Sequence, residues 1–408
     1  MFKWAVLNRC VGVFTGLVLP FLLGRGAAVE PSCQGRPEAN LHRATTNFLV
    51  MAGGGAPSYN EIALEKNVLY FQRTLQTLGF NPAAVRTFFA NGRDGQATVR
   101  YMSGQKELFK VPEIPHLTGA STLSNFQNWM QQTIRENDRR PIFFYFTGHG
   151  YRNPLNLNDN AMILWQEELL SVRQFASSLD QLPQEVPVVT MMSQCYSGSF
   201  ANFIYQGGDP QQPIALQTRC GFFATIKSRP SVGCTPEVNE ADYRDYSSSF
   251  FAGLSGRDRT GQPIGSADYD QNGTVSYAEA HAFAKVDEQS TDLPVSTLEV
   301  WLQEQSSNNQ QQILTQPIAT LLPSARPEQK YVVNALVQKF DMNADKSYME
   351  NAKATANRLQ MTQEQNAYLT RLGMELINIG MEKQLREHGD IDKIAALDRL
   401  IECESGSW

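Results

Sequence analysis

The sequence predicts an α/β fold with a mostly parallel sheet, followed by an all-α C-terminal region. Short apolar runs without polar alternation recur through the first two-thirds of the chain and read as strands buried on both faces. Segments of helical periodicity separate them, the pattern of strand–helix–strand units. Beyond Pro294 the composition changes and the strand-like runs stop.

Taken in order, "NFLVMAG" (Asn47 to Gly53) reads as a buried strand ending in glycines, and a helix is expected from Glu61 to Leu78, stopped by Gly79. "AVRTFFA" (Ala84 to Ala90) is a second strand, and the irregular stretch 91–120 has room for a hairpin. Ser121 to Asn137 places Phe126, Met130 and Ile134 on one helical face. "PIFFYFTGHG" (Pro141 to Gly150) is the strongest strand, followed by the short run "AMILW" and a helix over Glu167–Leu182. Val186 to Cys195 and "CGFFATI" (Cys220 to Ile226) complete the strands. The polar stretch 304–329, rich in Gln, Asn, Ser and Pro, reads as a linker. Helices are expected near 328–340, 344–359, 363–387 and 390–402, the third opened by a Thr362/Gln365 capping box. The expected domains are thus 40–292 and 330–408.

The 408 residues carry a net charge of −6 with no basic stripe, which argues against a nucleic-acid partner. Lys3 and Arg9 precede the apolar run Val11–Leu23, and Gly26-Ala27-Ala28 supplies a cleavage site, so residues 1–28 read as an export signal. The mature chain is expected to be secreted, periplasmic or lumenal, with no membrane attachment. Without Cys10, five of the six cysteines remain, and an odd count in an oxidising compartment leaves one thiol free. Cys220 could pair with Cys234 and Cys33 with Cys403, although four cysteines allow three connectivities. Cys195 is the one left over.

"VVTMMSQCYSGSF" (Val188 to Phe200) runs from buried strand into a polar, glycine-containing turn. Ligands of parallel sheets gather at such strand ends, where both His149 and Cys195 stand. A thiol attacks a carbonyl as thiolate, an imidazole favours that state and protonates the leaving amine, and backbone N–H groups at the turn hold the oxyanion. The plainer reading is a packed structural thiol beside a histidine that satisfies loop groups.

The strand ending in "TGHG", followed by the strand ending in "SQCYSG", resembles the caspase, metacaspase and legumain group of cysteine peptidases. "CGFFATIKSRPSVGC" looks most like the legumain-type branch and its bacterial relatives. The resemblance covers residues 45–290, about three-fifths of the chain. It implies a caspase-like three-layer α/β/α sandwich, a His149–Cys195 dyad, and Gly150 and Cys195 N–H groups as oxyanion donors. It also implies peptide or protein substrates, hydrolysis or transpeptidation through a thioester, and a C-terminal domain acting as inhibitor of a zymogen, with Asn308–Asn309 as a place of cutting. Ser193 stands where those relatives carry an acidic residue, so a neutral pocket lined partly by Ser193 is expected. From a different class, the chain reads as a catalytically silent interaction module of the same fold, stabilised by calcium.

"DYDQNGTVSYAE" fits the EF-hand calcium-loop template. Asp268, Asp270 and Asn272 alternate, Gly273 makes the turn, Thr274 offers its carbonyl, Ser276 follows and Glu279 closes the loop. No entering helix precedes it, and a solvated loop capping the next helix is the alternative. His42, His116, His281 and His388 show no metal-ligand spacing, and catalysis is expected to need no cofactor.

Overall fold

The computed structural model describes residues 46–306, 309–358 and 360–408. The elements are, in order, β1 (Asn47–Gly53), α1 (Ile62–Thr77), β2 (Arg86–Phe89), the hairpin β3 (Val99–Ser103) and β4 (Lys106–Lys110), α2 (Leu123–Arg135) and β5 (Ile142–Tyr151). Then come β6 (Ala161–Ile163), β7 (Leu169–Ser171), α3 (Val172–Leu179), β8 (Val188–Met192), β9 (Arg219–Phe223), α4 (Tyr246–Ser255), α5 (Tyr277–Asp287) and β10 (Val295–Ser296). The remainder is helical: α6 (Thr297–Glu304), α7 (Gln310–Leu314), α8 (Ile318–Leu321), α9 (Pro327–Lys339), α10 (Tyr348–Arg358), α11 (Gln363–His388) and α12 (Ile391–Glu404).

In space the sheet runs β10-β9-β8-β5-β1-β2, parallel throughout except for β10 against β9. Its two faces explain the lack of alternation in the strands. Phe48, Val50, Phe143, Tyr145 and Phe222 pack against α1, α4 and α5, while Leu49, Met51, Ile142, Phe144 and Phe146 join the cluster of α2, α3 and α6. The fold is a three-layer α/β/α sandwich with an added helical C-terminal region.

Several expectations change. Residues Leu169–Ser171 form strand β7 rather than the start of a helix, because the chain first returns along β6 in an antiparallel ladder, and Ser171 then caps α3 with a capping box. Ser193–Cys195 leave β8 and enter a turn in which Tyr196 adopts φ +59°. The polar stretch 304–329 contains α7 and α8, with Ile313, Ile318 and Leu321 buried. In the C-terminal region, α11 packs on α6 and α9. The final Trp408 inserts among Phe48, Phe71 and Phe143.

Cys220 is bonded to Cys403, across 183 residues of sequence, so neither the Cys220–Cys234 nor the Cys33–Cys403 pairing holds. Cys220 faces the α1/α4/α5 layer where α12 ends, whereas the loop after β9 carries Cys234 away to the end of β5. Proximity in sequence misleads because strand and loop diverge. Cys33 and the export signal lie outside the described residues. No helix among the described residues is long and apolar enough to cross a membrane.

Candidate active site

Parallel strands expose their C-terminal ends together, and three such ends converge here. The register pairs Gly53 of β1 with Gly148 of β5, and Phe146 of β5 with Met192 of β8. His149 follows Gly148 directly, and Cys195 lies in the turn three residues beyond Met192. A side chain at Gly150 would put its Cβ 2.0 Å from the Cys195 carbonyl oxygen, so only glycine lets the two backbones approach this closely. Beyond Tyr196 the buried turn Ser197–Ile204 is anchored through the Gly198 N–H, which donates to the Thr225 carbonyl at 2.8 Å.

His149 and Cys195 make their hydrogen bonds to different partners. His149 Nε2 lies 2.9 Å from Glu61 Oε2, and Arg100 grips the other Glu61 oxygen at 2.7 Å. Glu61 is 3% exposed. Burial works to raise its pKa, but His149 and Arg100 outweigh it and bring the carboxyl below its ordinary value. The Tyr59 ring stands edge-on to the imidazole at 5.2 Å, and its hydroxyl donates to Glu167. Burial and Glu167 push that hydroxyl up to about 12, which keeps it a neutral donor. The glycines after β1 allow this placement: Gly54 N–H donates to the Asn60 side chain at 2.9 Å, fixing the turn that delivers Glu61 to the start of α1.

The Cys195 thiol is half-buried. Its Sγ accepts from the Ser231 N–H at 3.3 Å and points back to the Ser231 carbonyl at 3.6 Å. Burial pushes the thiol up, the Ser231 N–H pulls it down, and the negative charge of Asp292 adds to the rise. Asp292 in turn holds Ser231 in place, accepting from its hydroxyl at 2.5 Å and from the Val232 N–H at 3.0 Å. Burial raises the Asp292 carboxyl as well. Behind it, the buried Arg371 of α11 donates to the carbonyls of Lys285, Glu288, Ser290 and Asp292, so the C-terminal helices fix the turn that carries Asp292. Cys234, on the same loop as Ser231, lies 3.8 Å from the Gly148 carbonyl.

Ser193 is buried at the end of β8. It is 8% exposed, and both its N–H and its hydroxyl donate to the Phe146 carbonyl, which ties the end of β8 to β5. A cleft of about 620 Å³ between α7, α11 and α12 contains neither His149 nor Cys195. In the acidic loop, carboxylate oxygens of Asp268, Asp270 and Glu279 lie within 4.8 Å of one another. Within the same turn the Asn272 amide donates to Asp270, and Thr274 N–H donates to Asn272. Ser276 and Glu279 form the capping box of α5.

The sequence reading missed Glu61, Ser231 and Asp292, and took Cys234 only as a disulfide partner. Glu61 was findable, since it follows the glycine-rich end of a strong strand, the position where parallel sheets gather ligands. Nothing local marks the other three.

No family model matches the chain, and no curated protein matches it. Among solved structures it is similar to protein GSU0716 from Geobacter sulfurreducens, at 12% identity and TM-score 0.38, over 62% of this chain and 92% of that one. It is also similar to caspase-1 from Spodoptera frugiperda, at 11% identity and TM-score 0.33, over 62% of this chain and 84% of that one. Neither figure assigns an activity.

Proposed function

We propose that the chain is a cysteine-type endopeptidase or transpeptidase of the caspase-like kind, with His149 and Cys195 as its dyad. The observation that carries the reading is their placement at the ends of the adjacent strands β5 and β8, with Gly150 packed directly on the Cys195 backbone. On substrate binding the Cys195 proton passes to His149, and the thiolate attacks the peptide carbonyl to form a carbon–sulfur bond. His149, held and charge-balanced by Glu61, returns the proton to the amine as the carbon–nitrogen bond breaks. Water or an incoming amine then resolves the thioester. The N–H groups of Gly150 and Cys195 are the proposed oxyanion donors.

The legumain-type assignment rests on the motifs alone. Export, to the periplasm, the medium or a lumen, is supported by the Cys220–Cys403 bond, since structural disulfides persist in oxidising compartments. We read the helical C-terminal region as a buttress rather than a removable inhibitor, because Arg371 and Trp408 are built into the core. A structural calcium ion at Asp268, Asp270 and Glu279 belongs to the same reading. Calcium should raise the melting temperature of the wild type but not of Asp268→Ala.

Peptide-library cleavage by the full mature chain tests the proposal: turnover present in the wild type and absent in Cys195→Ala supports it, and turnover surviving that substitution sinks it. One observation favours the silent-module reading. Cys195 is raised by burial and covered by the Ser231 backbone. A thiol-directed probe that leaves Cys195 unlabelled, together with no turnover, would select that reading.

A further inference from the structure

We propose that Glu61, His149 and Cys234 form a binding site for a zinc-type divalent cation, which on binding withdraws His149 from catalysis. The donor atoms, a carboxylate oxygen, an imidazole nitrogen and Sγ, lie within 4.8 Å of one another. Zinc bonds of roughly 2.0–2.1 Å to nitrogen, 2.0–2.2 Å to oxygen and 2.3 Å to sulfur set the donors of a tetrahedral site about 3.3–3.6 Å apart. The Glu61–His149 pair at 2.9 Å needs to open only slightly. A tetrahedral site with three protein ligands leaves its fourth position to water, and both His149 and Cys234 are partly rather than fully buried.

The three side chains come from separate, fixed segments. Glu61 is oriented by Arg100 through the oxygen that does not meet His149, the outer-shell arrangement that tunes metal ligands. His149 is braced by the Tyr59 ring. Cys234 follows Gly233, whose φ of +113° suits glycine and whose carbonyl accepts from the Tyr243 hydroxyl, while the next residue, Thr235, accepts from the Ala63 N–H at 3.4 Å. Thiolate and imidazole donors select zinc over magnesium or calcium. Binding releases the Cys234 proton, and the Glu61 and Cys234 charges then balance the dication. With its nitrogen on the metal, the imidazole can no longer exchange a proton with the amine. The inhibitory consequence rests on the peptidase reading, but the binding does not.

The test uses the full mature chain carrying Cys195→Ala, so that zinc capture by the nucleophile is excluded. Zinc titrated against a chromophoric chelator should show one ion per chain. Affinity should fall at least tenfold in the background of Cys234→Ser or of Glu61→Gln. With Cys234 intact, zinc should also protect that thiol from alkylation, a readout that does not depend on a variant folding. Equal zinc affinity with and without Cys234, or alkylation unaffected by zinc, would overturn the site. In the Cys195-containing protein, zinc should suppress turnover in the wild type and not in Cys234→Ser at the same concentration. Zinc bound as expected without suppressing an existing turnover would overturn the regulatory half alone. Total absence of turnover would count against the peptidase reading and leave the binding result standing.

Discussion

Replacing Trp408 by alanine decides whether the C-terminal region is a detachable lid or part of the core. The indole is 8% exposed and meets Phe143 at 4.8 Å, Phe48 at 5.3 Å and Phe71 at 5.7 Å between ring centroids, each edge-to-face. Its Nε1 is buried without a hydrogen-bond partner among the described residues, so the loss on truncation is that of packing. Burying a tryptophan removes about 150–250 Å² from water. At about 25 cal/mol per Å² that is roughly 4–6 kcal/mol, and measured tryptophan-to-alanine losses of about 3–5 kcal/mol agree. Urea unfolding of the oxidised protein, followed by far-UV circular dichroism, should therefore show a loss of about 3–5 kcal/mol. Turnover per folded molecule should not rise. A loss below about 1 kcal/mol accompanied by faster cleavage would refute the core assignment and restore the inhibitor.

Further outcomes follow from the same contacts. Glu61→Gln keeps the shape but not the charge that faces His149, and should lower kcat/KM on the order of 10–100-fold while changing its pH profile; an unchanged profile would remove Glu61 from the mechanism. Peptide mapping without reduction should find Cys220 joined to Cys403, and Cys403→Ser should cost about 2–5 kcal/mol. Burial pushes Glu404 up to about 8 from its ordinary 4.5, despite the hydrogen bond from Leu298 N–H at 2.8 Å. Its folded value is the higher one, so its contribution is fully present below about pH 4.5 and is lost as the pH rises through about 8. At about 1.36 kcal/mol per pH unit this reaches roughly 5 kcal/mol, an upper value that Glu404→Gln should remove from the slope of unfolding free energy between pH 5 and 9. Identical slopes in the two proteins would refute it.

The strands were legible because each carries its own signal. A strand buried on both faces must be apolar at every position, so "NFLVMAG" and "IFFYF" announce themselves without knowledge of their neighbours. Helices with caps were legible in the same way, as Thr362 and Gln365 show. Helix α4, "YSSSFFAGLS", was missed because its serines hide a segment buried on nearly every side, where tertiary packing overrides the amphipathic pattern. The Leu169–Ser171 strand was missed because its partner β6 is a three-residue run whose pairing only the folded chain reveals.

At the site, the division falls between residues placed by strands and residues placed by loops. His149 and Cys195 could be read because one stands near the end of β5 and the other just past β8, and strand ends converge by geometry alone. Ser231, Cys234 and Asp292 reach the same spot through loops whose course depends on distant anchors: Asp292 on Arg371, Ser231 on Asp292, and Cys234 on Tyr243 through Gly233. This chain of dependence has a physical consequence. The hydrogen bond that tunes the Cys195 thiol ends on a guanidinium in α11, so a substitution at Arg371 should change Cys195 alkylation rates without touching the cleft. Arg371→Met fills much of the same volume and removes the donors to the Lys285, Glu288, Ser290 and Asp292 carbonyls. If the Ser231 N–H is held through that route, alkylation of Cys195 in the folded variant should shift severalfold and its pH midpoint should move upward, because the donor that lowers the thiol's pKa loosens. A variant that folds and alkylates with the wild-type midpoint would show that the Ser231 loop holds itself.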